Sequence, residues 1–325
     1  MEKNNTAVII LNYNNYEDTI NCIESVELFN TSPIKYIIID NGSTREGTIE
    51  AIDHYLRKKF KGRYCYGKED EFNGELNYVT FIVSATNDGY AQGNNKGLNV
   101  AYKDDTISNI MILNNDVLFV EDIIPQLVYQ LYSLPRCAII SPILYKKNLD
   151  GIDYNCARKN VRVRTLIKDC FFHYFYRLNK NKCKSSDLQN SILKTIVAPF
   201  PKIIPIELPS GSCMLLKKSL FKKIDSFDSH TFLYWEENIL FKKIERLGLQ
   251  NYLCTYLKCI HLGASSTSAS PSLFIINCNI NSSRYYVKIY SGSSKFMYFL
   301  YYLSTLFFIG TFVLQKKLTG KNFVL

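Results

Sequence analysis

Four short runs of apolar, largely β-branched residues punctuate the first third of the chain, at 7–11, 36–39, 79–83 and 110–113. Each reads as a buried strand. Between them, residues 17–29, 48–60 and about 92–102 have helical character, as where Ile20, Ile23 and Val26 to Leu28 recur at near-helical spacing. Strands alternating with helices predict βαβ units and a mainly parallel sheet flanked by helices, a Rossmann-like α/β half. Right-handed crossovers then bring the loops that follow the strands to one edge of the sheet.

Two regions depart from that rhythm. Residues 146–205 are basic and aromatic, and within them 161–184 mixes Arg and Lys with Leu166, Phe171, Phe172, Tyr174, Phe175 and Tyr176. The pattern fits a basic amphipathic helix on a membrane surface, and fits equally a helix that packs its aromatics on the main domain. A structured pattern resumes at Leu208, with a helix over about 236–247 and Gly248 as its C′ residue. Near the C-terminus, 296–314 is a run of 19 residues without a charge, preceded by Lys295 and followed by Lys316 and Lys317. As a helix it would be about 28 Å long, close to the ~30 Å hydrocarbon core. A spanning helix, a re-entrant hairpin, a membrane-surface helix and a buried core helix all satisfy the pattern, and lysines at both ends leave its orientation open. The expected division is a main domain over 1–265, with 146–205 as an insertion, and a membrane-associated region over 266–325.

At 325 residues, 47% hydrophobic and 21% charged, the chain is long enough for a full core and too apolar for disorder. The polar residues 1–7 lead straight into a strand, so no export signal is expected. The ten Cys contain no CxxC pair and are expected as reduced, packed thiols in the cytoplasm rather than a disulfide framework or metal site. The net charge of +10 is concentrated: 146–205 holds thirteen Lys/Arg against four Asp. Such a segment points to an anionic partner or is simply a solvated loop. No recognised nucleic-acid-binding module accompanies it.

Candidate chemistry gathers where strands end. Asp116 closes Met111-Ile112-Leu113-Asn114-Asn115-Asp116-Val117, and the C-terminal edge of a buried strand is where open α/β sheets bind ligands. A carboxylate there is a hard ligand suited to Mg2+ or Mn2+. Asp40 ends the second strand in YIIIDNGST (36–44), where Asp-Asn-Gly-Ser is also strong turn chemistry. The stretch NDGYAQGNNKGL (87–98) spaces Gly89, Gly93 and Gly97 at the opening of a helix. Free N–H groups at such a start suit phosphate or sugar, although glycine turns and close packing give the same spacing. In YWEE (234–237), Glu236 and Glu237 open a helix as a catalytic pair or merely as partners of its dipole. His261 lies in CIHLGAS, and LPSGSC (208–213) is a small-residue loop that allows close approach or simply turns the chain.

Taken in this order, these segments resemble a family 2 glycosyltransferase of the GT-A fold, in its rhamnosyltransferase-like branch, over residues 6–265. The resemblance implies an inverting, metal-dependent hexosyltransferase. Its donor would be a nucleotide-diphospho-sugar and its acceptor a hydroxyl of a lipid-linked or growing surface polysaccharide, at the cytoplasmic face of the cell membrane. It implies that Leu11, Tyr13 and Asp40 line the nucleoside pocket, Tyr13 stacking on the base and Asp40 accepting from a pyrimidine N3–H. Asn87, Asn94, Asn115 and Gly211 would complete the donor pocket, Asp116 would hold Mn2+ or Mg2+ with His261 as a further ligand, and Glu237 would be the base beside Glu236. Two positions depart from the family pattern. Asn114 stands first in the metal motif usually written DxD, which leaves Asp116 as its one carboxylate and a bound diphosphate to complete the ion's shell. Glu237 stands where Asp is usual and is one methylene longer, so a non-catalytic nucleotide-sugar-binding or scaffolding member of a polysaccharide synthase complex is the alternative. A nucleotide-binding oxidoreductase, the runner-up on fold alone, is disfavoured because the first strand runs into NYNNY without GxGxxG, and the absence of a Walker lysine motif argues against a P-loop NTPase. Sugar and acceptor identity are not legible, since hexoses differ by single hydroxyl contacts.

Overall fold

A computed structural model of the chain describes residues 5–72, 76–149, 151–178, 191–196, 199–263 and 273–319. Its elements run β1 (Asn5–Asn12), α1 (Tyr16–Phe29), β2 (Ile34–Asp40), α2 (Thr48–Lys59), β3 (Tyr64–Lys68), β4 (Val79–Val83), α3 (Gly89–Ala101), β5 (Ile107–Asn114), β6 (Val117–Phe119), α4 (Ile124–Ser133), β7 (Cys137–Lys146), β8 (Ala157–Arg158), α5 (Val163–Leu178), β9 (Ile203–Ile206), β10 (Leu208–Pro209), β11 (Cys213–Lys217), α6 (Lys218–Lys223), α7 (Glu236–Glu245), β12 (Gln250–His261), α8 (Leu273–Ile289) and α9 (Lys295–Thr319). Strands β3-β4-β2-β1-β5 pair in parallel. β11 then runs antiparallel between β5 and β7, and β12 lies parallel to β7 while taking β6 and β9 antiparallel. β8 and β10 form a separate two-stranded ribbon.

Period-two alternation sorts each strand's side chains between two cores. Val8 and Ile10 pack with Cys22, Ile23, Ile52 and Leu127 from α1, α2 and α4. Ala7 and Ile9 pack on the other face with Leu98, Phe221 and Leu240 from α3, α6 and α7. With both faces covered, the strands read as continuous apolar runs, which is why β1, β2, β4 and β5 are recognisable in the sequence. β3, half-buried at the sheet edge, has no such run and was not expected. α3 begins at Gly89 rather than at 92.

The basic segment 146–205 is not one element. It contributes the end of β7, β8, α5 and β9, and the helix expected over 161–184 is observed over Val163–Leu178, residues 179–184 lying outside the described ones. Of the nine described cysteines, all are free and seven are buried. α8 and α9 form a helical layer with α5. Val163, Tyr286 and Tyr301 share one cluster, Ile276, Ile280 and Phe312 another. Tyr301 donates to Ser283 Oγ (2.7 Å) and Arg284 Nε to Thr305 Oγ1 (2.9 Å).

Candidate active site

The register of the sheet brings distant motifs to one edge. Asn12 at the end of β1 pairs with Asp40 at the end of β2, and Leu11 with Asn114 at the end of β5. β11, entering antiparallel, starts there too, its Cys213 opposite Leu113. β12 ends there with His261 opposite Val117.

Most of the asparagines and Asp40 wire this edge together. Asp40 is fully buried. Its Oδ2 accepts from Asn12 Nδ2 (2.7 Å) and Ser43 Oγ (2.6 Å), its Oδ1 from Ser43 N–H (2.9 Å). Three donors thus occupy this carboxylate, with one acceptor position on Oδ1 unused among the described residues. Asn115 Nδ2 donates to Thr19 Oγ1 (3.0 Å) at the start of α1. Asn87 Oδ1 accepts from Asn41 Nδ2 (2.9 Å) and Gly89 N–H (3.0 Å), and Asn94 Nδ2 donates to Tyr90 O (2.9 Å) within its own helix. Leu11 is half-buried against Gly93, where a Cβ would lie 2.6 Å from Leu11 Cδ1. Tyr13, by contrast, is 38% exposed at the mouth of the edge, free to stack.

Asp116 is buried, and its Oδ1 has no hydrogen-bond partner among the described residues. Its Oδ2 lies 3.4 Å from His261 Nε2, and His261 Nδ1 lies 2.9 Å from Asp153 Oδ2. Burial opposes protonation of His261, but hydrogen bonds to Asp116 and Asp153 outweigh it and push the imidazole up to about 10. Asp153 is held below the usual carboxylate range: burial works against this, and the His261 bond prevails. These residues fit a divalent ion. Asp116 Oδ1 is an unused acceptor, and an ion that replaced the Nε2 proton would sit between carboxylate and imidazole, since two ligand atoms each about 2.1 Å from one ion stand about 3 Å apart. Asp153 then fixes the histidine's ring from behind. No cluster of three or more His, Cys, Asp or Glu able to hold a metal occurs among the described residues, so other ligands would come from substrate. Asp153 was missed in the sequence because it lies in the basic segment, 108 residues from its partner.

The loop 208–213 separates this pair from the glutamates. Gly211 N–H donates to Glu237 Oε1 (3.0 Å), and Tyr90 OH donates to Gly211 O (2.7 Å). A Cβ on Gly211 would stand 2.8 Å from Tyr90 Oη and 3.0 Å from Glu237 Oε1, so glycine is required by the protein's own side chains. The next residue, Ser212, has Oγ 3.3 Å from His261 Nε2. Glu237 Oε2 has no hydrogen-bond partner among the described residues, and the side chain is 19% exposed. Glu236 is buried, with Oε1 unpartnered among the described residues; burial first, and the Glu237 charge second, push it up to about 8. The turn into α7 is strained: Tyr234 and Trp235 have φ of 71° and 74°. α8 holds it. Trp235 Nε1 donates to Asn279 Oδ1 (2.7 Å), its ring centroid is 5.1 Å from that of Tyr286, and Ser282 Oγ donates to Leu233 O (3.0 Å). Gly89 (φ +80°) lets Tyr90 N–H reach Phe232 O (2.8 Å); a Cβ there would lie 2.0 Å from that oxygen.

Comparison with known proteins bears on this arrangement. Residues 7–225 match the protein-family model of glycosyl transferase family 2, which therefore stops short of Glu236 and Glu237. Over 257 residues the chain is 23% identical to the low-salt glycan biosynthesis hexosyltransferase of Haloferax volcanii, covering 78% of this chain and 66% of that protein, just under two thirds of its length. The crystal structure of GalNAc-T7 with UDP, GalNAc and Mn2+ matches with TM-score 0.58 at 12% identity, covering 98% of this chain and 58% of that one. Mannosyltransferase PcManGT from Pyrobaculum calidifontis in complex with GDP-Man and Mn2+ matches with TM-score 0.51 at 14% identity, covering 97% of this chain and 76% of that one. These likenesses show a GT-A fold, as the order of motifs implied.

Proposed function

The chain belongs to glycosyl transferase family 2, and from that premise we propose that it transfers a hexose, with inversion, from a nucleotide-diphospho-sugar to a hydroxyl of a lipid-linked or growing glycan. One observation carries the reading: consecutive residues Gly211 and Ser212 contact Glu237 and His261, which puts a carboxylate with an open oxygen beside a carboxylate–histidine pair. Tyr13 stacks on the nucleobase, while Asp40, Asn87, Asn94 and Asn115 act by shaping the loops around the donor. Asp116 and His261 would hold Mn2+ or Mg2+, which when bound would supply positive charge for a diphosphate leaving group. Both structural neighbours were solved with Mn2+, which supports that assignment. Gly211 N–H pins one oxygen of Glu237, and the other takes the proton of the attacking hydroxyl. The extra methylene of Glu relative to Asp is what carries the carboxylate from α7 to the Gly211 amide.

The test is Glu237→Gln, which keeps shape but removes the proton acceptor. Transfer should fall ~10²–10⁴-fold with donor Kd unchanged, EDTA should abolish wild-type transfer, and the wild-type product should have the anomeric configuration opposite to the donor's. Retention of configuration, or an active Glu237→Gln, overturns the mechanism. Donor binding without product on any native glycan extract favours the non-catalytic alternative.

The catalytic unit is read as residues 1–265 completed by α8, with α9 bearing a membrane-facing surface. Lys295–Leu314 has mean hydropathy 1.7 and is only 22% buried. Phe296, Phe299, Leu303, Leu306 and Phe307 form an exposed apolar stripe. α8 lies along the opposite side with Asn277, Asn279, Asn281 and Lys288 exposed, and Arg164 and Lys168 on α5, with Arg162 just before it, add positive charge. Taking those polar helices into hydrocarbon would be costly. We therefore read α9 as lying in an anionic membrane surface, at the cytoplasmic face, rather than crossing it.

A further inference from the structure

We propose that Arg158 is a positioning residue for the reaction: it keeps the negative charge of the carboxylate pair on Glu237 and turns the open oxygen toward the acceptor. The inference rests on Glu237 being the base. Nothing in the family's motifs points to Arg158, which lies in the basic segment that otherwise reads as a surface run.

Glu236 and Glu237 are neighbours at one helix start, and two close carboxylates do not both ionise freely. Burial already weighs against charge on Glu236, and a cation beside Glu237 would add to that bias. Arg158 NH2 lies 3.6 Å from Glu237 Oε1, the oxygen that also takes the Gly211 N–H. Charge and hydrogen bond therefore converge on one oxygen, and the other is left to the substrate. Among the described residues Glu236 has no such cation, and it is the more deeply buried of the two. The titratable or charged groups beside Glu237 among the described residues are Arg158 on β8, Glu236 on α7 and Tyr90 on α3. Only the first carries a positive charge.

The guanidinium is held from the backbone. β8 pairs with β10 through Arg158–Leu208 and Ala157–Pro209, three and two residues upstream of Gly211. The adjoining Asn160 is braced on three sides. Its N–H donates to Glu207 Oε2 (2.7 Å), its Nδ2 donates to Tyr286 Oη (2.8 Å), and its Oδ1 accepts from Asn238 Nδ2 (2.8 Å). Asn238 is the residue after Glu237, so one brace registers the arginine against the helix that carries the base. Arg158 Nε is buried and unpartnered among the described residues. Its cost is tolerable if the guanidinium is placed for charge rather than for a saturated hydrogen-bond set.

The experiment is the pH profile of kcat with Mn2+, a native glycan extract as acceptor and whichever of a panel of UDP-, GDP- and dTDP-hexoses turns over with wild type, for wild type, Arg158→Gln and Arg158→Lys. Removing a cation beside a carboxylate favours the protonated form. The acid limb of Arg158→Gln should move to higher pH. Its kcat should fall about tenfold or more on the acid side and recover toward wild type near pH 9, with donor KM unchanged. Arg158→Lys, which restores a charge, should return the limb most of the way. A loss of kcat equal at every pH, or no rescue by lysine, overturns the inference while leaving the base assignment standing. Wild-type Tm and donor Kd in Arg158→Gln establish that the fold is intact. Failure of the base reading shows separately, as activity in Glu237→Gln.

Discussion

At the scale of single residues, the candidate site separates side chains with open polar atoms or exposed rings from side chains that hold the loops. Tyr13 is exposed, Asp116 has an orphaned oxygen and Glu237 an open one; Asp40, Asn94 and Asn115 spend their side chains on the protein. Identity alone could not draw that line, because Asp and Asn serve turns as readily as ligands. Glu236 shows the same limit. In the sequence it is the twin of Glu237, yet burial and its neighbour's charge push it up to about 8. The ordinary value is 4.5, so the folded protein holds this proton more tightly than the unfolded chain, and stability declines as pH rises from 4.5 to about 8. Glu236→Gln carries no such penalty. Its Tm should match wild type at pH 4 and exceed it increasingly up to pH 8, with transfer largely retained. Equal Tm differences at pH 4 and 8, read by calorimetry, would reject the buried-acid assignment.

At the scale of elements, β1, β2, β4 and β5 were legible because both of their faces are covered, so that a strand is an uninterrupted apolar run. β3 and the β8–β10 ribbon were not, since short or half-exposed strands carry no distinctive pattern. The least legible relationship is that between α8 and the start of α7. Two consecutive left-handed residues, Tyr234 and Trp235, cost of order 1–3 kcal/mol each and persist only if their surroundings impose them. Asn279 and Tyr286 supply that constraint. Asn279→Ala should lower kcat several-fold while leaving donor Kd unchanged, and cost about 1 kcal/mol in denaturant unfolding. An unchanged kcat would make the contact merely structural.

At the scale of the whole molecule, the helical layer joins the exposed apolar stripe proposed to meet a membrane to the turn that carries the proposed base: α9 packs on α8, and α8 grips Trp235. Replacing Phe296, Phe299, Leu303 and Leu306 with Ser should weaken binding to anionic vesicles by on the order of 1 kcal/mol per side chain. Transfer to a soluble acceptor analogue should persist. Flotation with vesicles at wild-type level would remove the stripe from membrane binding. The sequence by itself determined the α/β class, the parallel half and the order of the motifs, because strand burial and turn chemistry are local and leave local signatures. Only the tertiary structure decided the partners of those motifs. Asp153 meets His261, Arg158 meets Glu237, and Asn279 meets Trp235 across separations set by sheet register and helix packing, which no local pattern encodes.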